Sequence, residues 1–197
     1  MRKIGTRNLT AVYIDGEYKI AQYGQWDGYP EGQGKTALDF ARKLADENYR
    51  REFAEKVRAC KWITEEEIDA INAKVKSGEI KDWTRQYPEL WRDAGAVILQ
   101  MVMDRGGLAL QNDIEFAADS LFCEWAWVID LDKNTFEGFA GFNEHPIADT
   151  ERFAFLVGKE RTAHDGTHYC CIKLVKAYSL DDLPSDEQFF ADFKEEE

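Results

Sequence analysis

The dipeptide Asp15-Gly16, set between two runs of mixed apolar and polar residues, is the feature that most constrains the fold. An Asp-Gly pair readily adopts the positive φ angles of a two-residue hairpin turn. The flanking runs, residues 9–14 and 17–23, contain the β-branched and aromatic residues that strands favour. The sequence therefore predicts that the chain begins with an antiparallel β-hairpin.

The segment that follows this hairpin, residues 21–34, is rich in glycine, amide, carboxylate and aromatic side chains. Glycine lets a chain turn sharply or approach a ligand closely, and Pro30 fixes one φ angle. A rigid loop of this composition is suited to stacking a flat group and reading its polar edge. The expected ligand-binding residues are Arg7, Asn8, Gln22, Tyr23, Gln25, Trp26, Asp27, Tyr29 and Glu124. The alternative is a loop whose aromatic side chains cap the core while its glycines serve turns.

Helical periodicity begins after this loop. Apolar residues recur at helical spacing over residues 36–59, which predicts one long helix. A second helix is predicted to begin at Thr64, because Glu67 completes a capping box with it. Pro88 fits the first turn of a third helix that ends at the glycine pair 106–107.

The second half of the chain is dominated by strand patterns. Residues 123–131 and 135–139 form a predicted hairpin, and residues 153–157 and 169–178 form another. A short helix is expected after Ser185. Three antiparallel hairpins around a central helical block indicate an α+β fold, with an antiparallel sheet built from hairpins and the helical block packed on one face.

The apolar segment 122–129 also contains Glu124. Strand alternation places Cys123, Trp125, Trp127 and Ile129 on one face, which is the expected core face. Glu124 then points the opposite way, either into solvent or into a site. A solvated glutamate is the commoner case, because unpaired carboxylates are rarely buried.

Length and charge limit the classes of function. A chain of 197 residues is expected to form a single domain, residues 1–197, with an acidic tail over about 181–197. The net charge of −13 opposes binding to nucleic-acid phosphates, so no direct nucleic-acid partner is expected. The tail holds eight acids and one lysine, which favours a role in solubility, outside the site. The sequence shows no signal peptide and no membrane segment, and a cytoplasmic location is expected.

The four cysteines lack the CxxC spacing of common metal and redox sites, and reduced thiols are expected. His164, His168 and Cys170, together with Asp165, resemble a set of metal ligands. Asp165 followed by glycine is also ordinary turn chemistry, and no second pair of ligands is visible. The sequence therefore predicts neither a metal nor another cofactor.

Enzymatic alternatives remain open, although no catalytic residue is assigned. Thr6 would be the nucleophile of an N-terminal-nucleophile hydrolase, but five residues precede it. A cysteine paired with a histidine would serve a thiol hydrolase, although three of the four cysteines lie in apolar strand patterns. Asp27, next to Trp26, is the carboxylate most suited to acid–base work if the indole desolvates it.

Several segments carry a resemblance to a known group of proteins. The start GTRNLT at residues 5–10, the loop at residues 22–34 and the run DSLFCEWAWVIDL at residues 119–131 are similar to blocks in a family of uncharacterised proteins of bacteriophages and bacterial mobile elements. Members of that family carry a YGQWDGYPxGQG loop. The resemblance implies a phage or prophage accessory protein and implies no particular chemistry. The present chain begins three residues earlier than the usual Met-Gly-Thr form.

The sequence as a whole favours a non-catalytic, phage-type accessory protein, located in the host cytoplasm if phage-encoded. It is expected to bind a small polar or nucleotide-like ligand, or a host protein, through loop 22–34. The first alternative is a hydrolase acting on an amide or nucleotide-like substrate. The second is an acidic interaction module that inhibits a host factor. A homo-oligomer formed through exposed aromatic side chains is compatible with each of these.

Overall fold

The computed structural model describes residues 5–194. Its helices and strands, in chain order, are β1 (Asn8–Ile14), β2 (Glu17–Gly24), α1 (Lys35–Lys43), α2 (Glu47–Arg58), β3 (Lys61–Trp62), α3 (Glu65–Lys76), α4 (Trp83–Gln86), α5 (Val97–Arg105), β4 (Ala109–Leu110), β5 (Trp125–Asp130), β6 (Thr135–Ala140), β7 (Arg161–Thr162), β8 (His168–Tyr169), β9 (Lys173–Ser179) and α6 (Asp186–Asp192). A wide helical turn spans Pro30–Gly34, and 3-10 turns span Pro88–Leu90, Ile114–Ala118 and Ala154–Leu156.

The main sheet has five strands in the order β2-β1-β5-β6-β9. The predicted hairpins β1–β2 and β5–β6 are both present and antiparallel. Asp15 and Gly16 form the first turn with φ angles of 53° and 81°, as a two-residue turn of this kind requires. The central pairing of β1 with β5 is parallel. The fold is therefore α+β, with a sheet that is antiparallel except at its centre.

Four helices cover one face of this sheet, in line with the predicted α+β arrangement, whereas α3 and α4 bury no residue. The cluster on that face joins α1, α2, α5 and α6 to the strands, and it includes Val12, Leu38, Phe53, Val102, Trp127, Phe136, Phe189 and Phe193. Trp127 lies at the centre, fully buried between Phe136, Phe189 and Phe193. The expected terminal helix is α6, capped by the Ser185 side chain, and its phenylalanines pack into this core.

The opposite face of the sheet is covered by 3-10 turns and loops. Its apolar cluster includes Leu9, Ala11, Cys123, Val128, Phe139, Phe153, Leu156 and Ile172. This corrects the single core face expected for residues 123–129. Cys123, Ala126 and Val128 pack on the turn-covered face, while Trp127 and Ile129 pack on the helical face. The central strands are buried on both faces, which is why β5 is an almost continuous apolar run.

Two predicted helices are wrong in their extent. The long helix over 36–59 is two helices, because the Asp46 side chain accepts hydrogen bonds from Asn48 N and Tyr49 N and begins α2 as a new helix. The helix predicted from Pro88 is only a 3-10 turn there, and α5 starts at Val97. Gly95 separates the two with a φ of +50°. The capping box of Thr64 and Glu67 is confirmed at the start of α3.

The strand predicted over 153–157 is also wrong. Those residues contain the 3-10 turn Ala154–Leu156, and Phe153 and Leu156 are both buried. This spacing of three puts the two side chains on one side of a helical turn, whereas alternate residues would be buried in a half-exposed strand. The partner of β6 at the sheet edge is instead β9, within the segment predicted to pair with 153–157.

None of the helices among the described residues has both the length and the apolar character required to cross a membrane.

Candidate functional site

Loop 22–34 is fastened to the core by Trp127. The Trp127 indole donates a hydrogen bond from Nε1 to the Gly28 carbonyl oxygen over 3.0 Å. Gly34 lies flat against the same indole, where a Cβ atom would come within 2.6 Å of Cζ2. The middle and the end of the loop therefore pack against a buried side chain.

The loop glycines serve close packing more than turning. Gly24, Gly28, Gly32 and Gly34 all have φ outside the positive region, and the one positive φ in the loop belongs to Asp27, at 56°. A Cβ on Gly28 would approach Asn8 Cβ and the Thr6 carbonyl oxygen to 2.8 Å. The close approach that the sequence suggested is therefore to the protein's own chain at these positions.

Two of the expected binding residues are buried in the scaffold. Asn8 is fully buried, and its Nδ2 donates to the Gly24 carbonyl oxygen over 3.2 Å. Gln22 is 2% exposed, and its Nε2 donates to the carbonyl oxygens of Tyr23 and Trp91. These amides hold the loop base and the neighbouring segment in place.

Tyr23 and Gln25 form a polar cluster on the outer side of the loop. The Tyr23 hydroxyl donates to Gln25 Oε1 over 2.7 Å, and Arg92 Nη2 donates to the same oxygen over 3.0 Å. The Tyr23 ring packs edge-on against Phe116, with centroids 5.0 Å apart. These contacts engage the Gln25 side-chain oxygen within the protein itself.

Arg7 and Glu124 form a pair at the N-terminal ends of β1 and β5. Glu124 Oε1 accepts hydrogen bonds from Arg7 N over 3.2 Å and from Arg7 Nη2 over 3.4 Å. The Arg7 guanidinium also lies over the Phe122 ring, 4.4 Å from its centroid. Within residues 5–194, no hydrogen bond engages Glu124 Oε2, so this oxygen can accept one from a ligand.

Trp26, Asp27 and Tyr29 lie on the outer surface of the loop. The Tyr29 hydroxyl donates to Asp27 Oδ1 over 3.2 Å. Trp26 is 46% exposed, with one ring edge against Gly5. The alternative in which the aromatic side chains of this loop cap the core therefore does not hold for Trp26 and Tyr29, because both are exposed.

An open cleft of about 540 Å³ lies beside this loop, at the end of the sheet where β1 and β5 begin. Its lining residues are Thr6, Tyr29, Pro30, Glu31, Glu124, Trp125, Ala140, Gly141, Phe142, Phe190, Phe193 and Lys194. Five of them are aromatic and two are carboxylates. We refer to this feature as the loop cleft.

Phe142 is the most unusual residue of the loop cleft. Its side chain is 54% exposed, and its φ angle is 50°. A bulky residue with a positive φ is a conformational outlier, and such strain concentrates at functional sites. A backbone hydrogen bond from Phe142 N to the Ser120 carbonyl oxygen, 2.7 Å long, holds this geometry.

The structure brings together only part of the predicted set. Tyr29 and Glu124 line the loop cleft, and Arg7 donates a hydrogen bond to Glu124. The remaining predicted residues are not among the lining residues: Asn8, Gln22, Tyr23, Gln25, Trp26 and Asp27. Sequence reasoning missed Phe142, Phe190 and Phe193, because nothing local signals that α6 closes one side of the cleft. The sequence also placed the tail outside the predicted site, whereas Phe190, Phe193 and Lys194 line the loop cleft.

The cysteines do not have the surroundings of activated nucleophiles. All four are free and buried. Burial raises the pKa of Cys60, Cys123, Cys170 and Cys171, that of Cys171 to about 12. A thiol acts as a nucleophile in its ionised form, so a raised pKa lowers reactivity.

Comparison of the chain with known proteins finds no matching family model, no matching curated protein and no matching solved structure.

Proposed function

We propose that this protein is a non-catalytic binding protein, and that the loop cleft holds a flat polar group of a small ligand or of a host protein. The observation that carries the proposal is the pairing of aromatic walls with carboxylates in one open cleft. Aromatic side chains supply stacking surface, and a few polar groups fix the orientation of a ligand. A phage-type accessory role is part of the proposal and rests on the resemblance described above.

The charge of the loop cleft favours a cationic group over a phosphate. Among residues 5–194, its lining contains Glu31 and Glu124 and a single cation, Lys194. A guanidinium group is flat, stacks on aromatic rings and donates hydrogen bonds to carboxylate oxygens. Glu124 Oε2 is the natural acceptor, because Arg7 contacts only Oε1. An arginine side chain of a partner therefore fits this cleft better than a nucleotide phosphate.

The experiment compares N-acetyl-arginine amide with its neutral analogue N-acetyl-citrulline amide by calorimetric titration and NMR. We expect the arginine derivative to bind more tightly, since cation–π contacts contribute about 0.5–2 kcal/mol. Phe142→Ala should weaken binding by a similar amount. Phe155→Ala is the matched control, because Phe155 is 58% exposed and lies outside the loop cleft.

Tighter binding of adenosine monophosphate than of the arginine derivative would contradict the cationic assignment. Equal losses in Phe142→Ala and Phe155→Ala would contradict the placement of the site. Each compound should also be recovered chemically unchanged.

The hydrolase remains the second candidate because Thr6 lines the same cleft as Glu124. Multiple-turnover conversion of an amide or nucleotide-like compound that disappears in Thr6→Ala or Asp27→Asn would replace the binding proposal with this one. A hydrolase needs a group that transfers protons or attacks the substrate, whereas a binding protein needs only complementary contacts.

A further inference from the structure

The small hairpin β7–β8 brings together three side chains of types that ligate metals. Glu160 precedes β7, His168 lies in β8, and Cys170 follows β8. The pairing of Arg161 with Tyr169 puts Glu160 and Cys170 opposite each other, one step beyond the ladder. The donor atoms of Glu160, His168 and Cys170 all lie within 4.8 Å of one another.

The neighbouring hydrogen bonds orient these donors toward a common point. His168 Nδ1 lies 3.3 Å from Thr162 Oγ1, which leaves Nε2 as the ring nitrogen that faces Glu160, 3.6 Å from Oε2. Glu160 Oε1 accepts a hydrogen bond from Cys171 N over 3.3 Å. Outer contacts of this kind fix the tautomer and direction of metal ligands.

We propose that Glu160, His168 and Cys170 form a binding site for a divalent transition-metal ion of the zinc class. A thiolate, an imidazole and a carboxylate are the three donor types that zinc uses in proteins. Three protein ligands leave one tetrahedral position for water or a further ligand. Donor atoms around zinc lie roughly 3.5 Å apart, so the present spread needs to close by about 1 Å. The half-exposed His168 ring has room for that movement.

The local charges are compatible with a dication. Arg161, the nearest cation in sequence, is paired with Asp119 over 2.6 Å, and Lys159 is paired with Glu115. A cysteine thiol loses its proton when it binds zinc, and the resulting thiolate and Glu160 together balance the charge of the metal.

The residues differ from those that the sequence grouped. Asp165 accepts a hydrogen bond from Thr167 N within the β7–β8 turn and does not belong to the cluster, and neither does His164. Glu160, eight residues before His168, takes their place. Only the pairing of two short strands reveals it.

The test begins with removal of bound metal from the full chain by a chelator. Zinc is then titrated in and its binding is measured by calorimetry. Metal content is measured separately after dialysis. We expect saturable one-to-one binding and a rise in the unfolding temperature with zinc. Co²⁺ in place of zinc should give a thiolate-to-metal charge-transfer absorption. His168→Gln and Cys170→Ser should each weaken zinc binding by at least about 100-fold, and Thr162→Val by about 10–100-fold.

The chain offers two matched controls. His164→Gln removes a histidine from the same turn, and Cys60→Ser removes a thiol as buried as Cys170 at 3% exposure. Both should leave zinc affinity unchanged. If Cys170→Ser fails to fold, His168→Gln still tests the site, because His168 is half exposed and its replacement does not disturb the core. Absence of one-to-one binding, unchanged affinity in His168→Gln, or an equal loss in His164→Gln would overturn the proposal.

Discussion

The charged side chains at the two ends of the central strands β1 and β5 differ in their exposure to solvent and in the number of ion pairs that they form. At the N-terminal ends lies the loop cleft, where the Arg7 and Glu124 side chains are about one-fifth exposed and their closest atoms are 3.4 Å apart. At the C-terminal ends a second cleft of about 440 Å³ is lined by Tyr13, Tyr18 and Arg152, among others. There Arg152 is 8% exposed and ion-paired with two carboxylates, Asp130 and Glu137.

At the C-terminal ends of β1 and β5, which we call the buried end, the charged groups form hydrogen bonds with one another. Arg152 Nε and Nη2 donate to both oxygens of Glu137 over 2.5 Å and 2.8 Å, and Nη2 also donates to Asp130. The guanidinium lies 5.4 Å from the centre of the Tyr13 ring. Within the part of the chain that the structure describes, the N-terminal end instead leaves Glu124 Oε2 without a hydrogen bond and the Tyr29 and Phe142 side chains exposed. Aromatic residues near charged groups therefore indicate binding only where an oxygen of the charged group is left without a hydrogen bond.

The largest expected effect comes from breaking the buried charge cluster. Arg152→Met should lower the free energy of unfolding by about 3–5 kcal/mol, because it leaves Asp130 and Glu137 buried without a counter-charge. Arg7→Met is the matched change at the other end, where a partly exposed pair is worth about 1 kcal/mol or less. Urea denaturation of both variants measures the difference. Equal decreases in the free energy of unfolding would show that the two ends do not differ in this way.

High pH should weaken the buried end through Tyr18. Burial raises the pKa of Tyr18 to about 12 from an ordinary value of 10.0, with Arg152 acting in the opposite direction. The folded state therefore holds the Tyr18 proton more tightly, and this stabilisation is present below pH 10 and lost as the pH rises toward 12. The loss is at most about 2–3 kcal/mol. Denaturation curves across this range should decline less steeply for Tyr18→Phe than for the natural chain, and parallel declines would refute the assignment.

A smaller effect distinguishes strain from contact at Phe142. At a φ of 50° a side chain with a Cβ costs about 1–2 kcal/mol relative to glycine. Phe142→Gly should therefore be more stable than Phe142→Ala by about 1 kcal/mol, while both lose affinity for the arginine derivative equally. If Phe142→Gly bound as well as the natural chain, the aromatic ring would not be part of the site.

The smallest expected effect concerns Trp26. Trp26→Ala should stay folded, because the indole is nearly half exposed. Since Trp26 does not line the loop cleft, binding of the arginine derivative should change by less than about 1 kcal/mol, whereas direct stacking would predict a loss of about 1–3 kcal/mol. Titration of Trp26→Ala beside Tyr29→Ala separates the loop surface from the cleft, and unfolding of Trp26→Ala would show that the indole supports the core.

Elements whose signals are local could be predicted from the sequence. The Asp15-Gly16 turn, the capping box of Thr64 and Glu67 and the β5–β6 hairpin all form as expected, since a few neighbouring residues specify each. The errors fall where a local pattern has two meanings. Residues 153–157 are apolar enough for a strand, but they have no strand partner in the sheet and form a turn that buries Phe153 and Leu156.

Local sequence patterns were enough to predict the α+β class, the two main hairpins and a glycine-rich loop after the first hairpin. Tertiary structure alone decided the parallel contact of β1 with β5, which places Arg7 beside Glu124 across 117 positions of sequence. It also decided that α6 completes the loop cleft and that Glu160 meets His168 and Cys170. Local propensity acts over a few residues, whereas a site is assembled from segments that become neighbours only when the core packs.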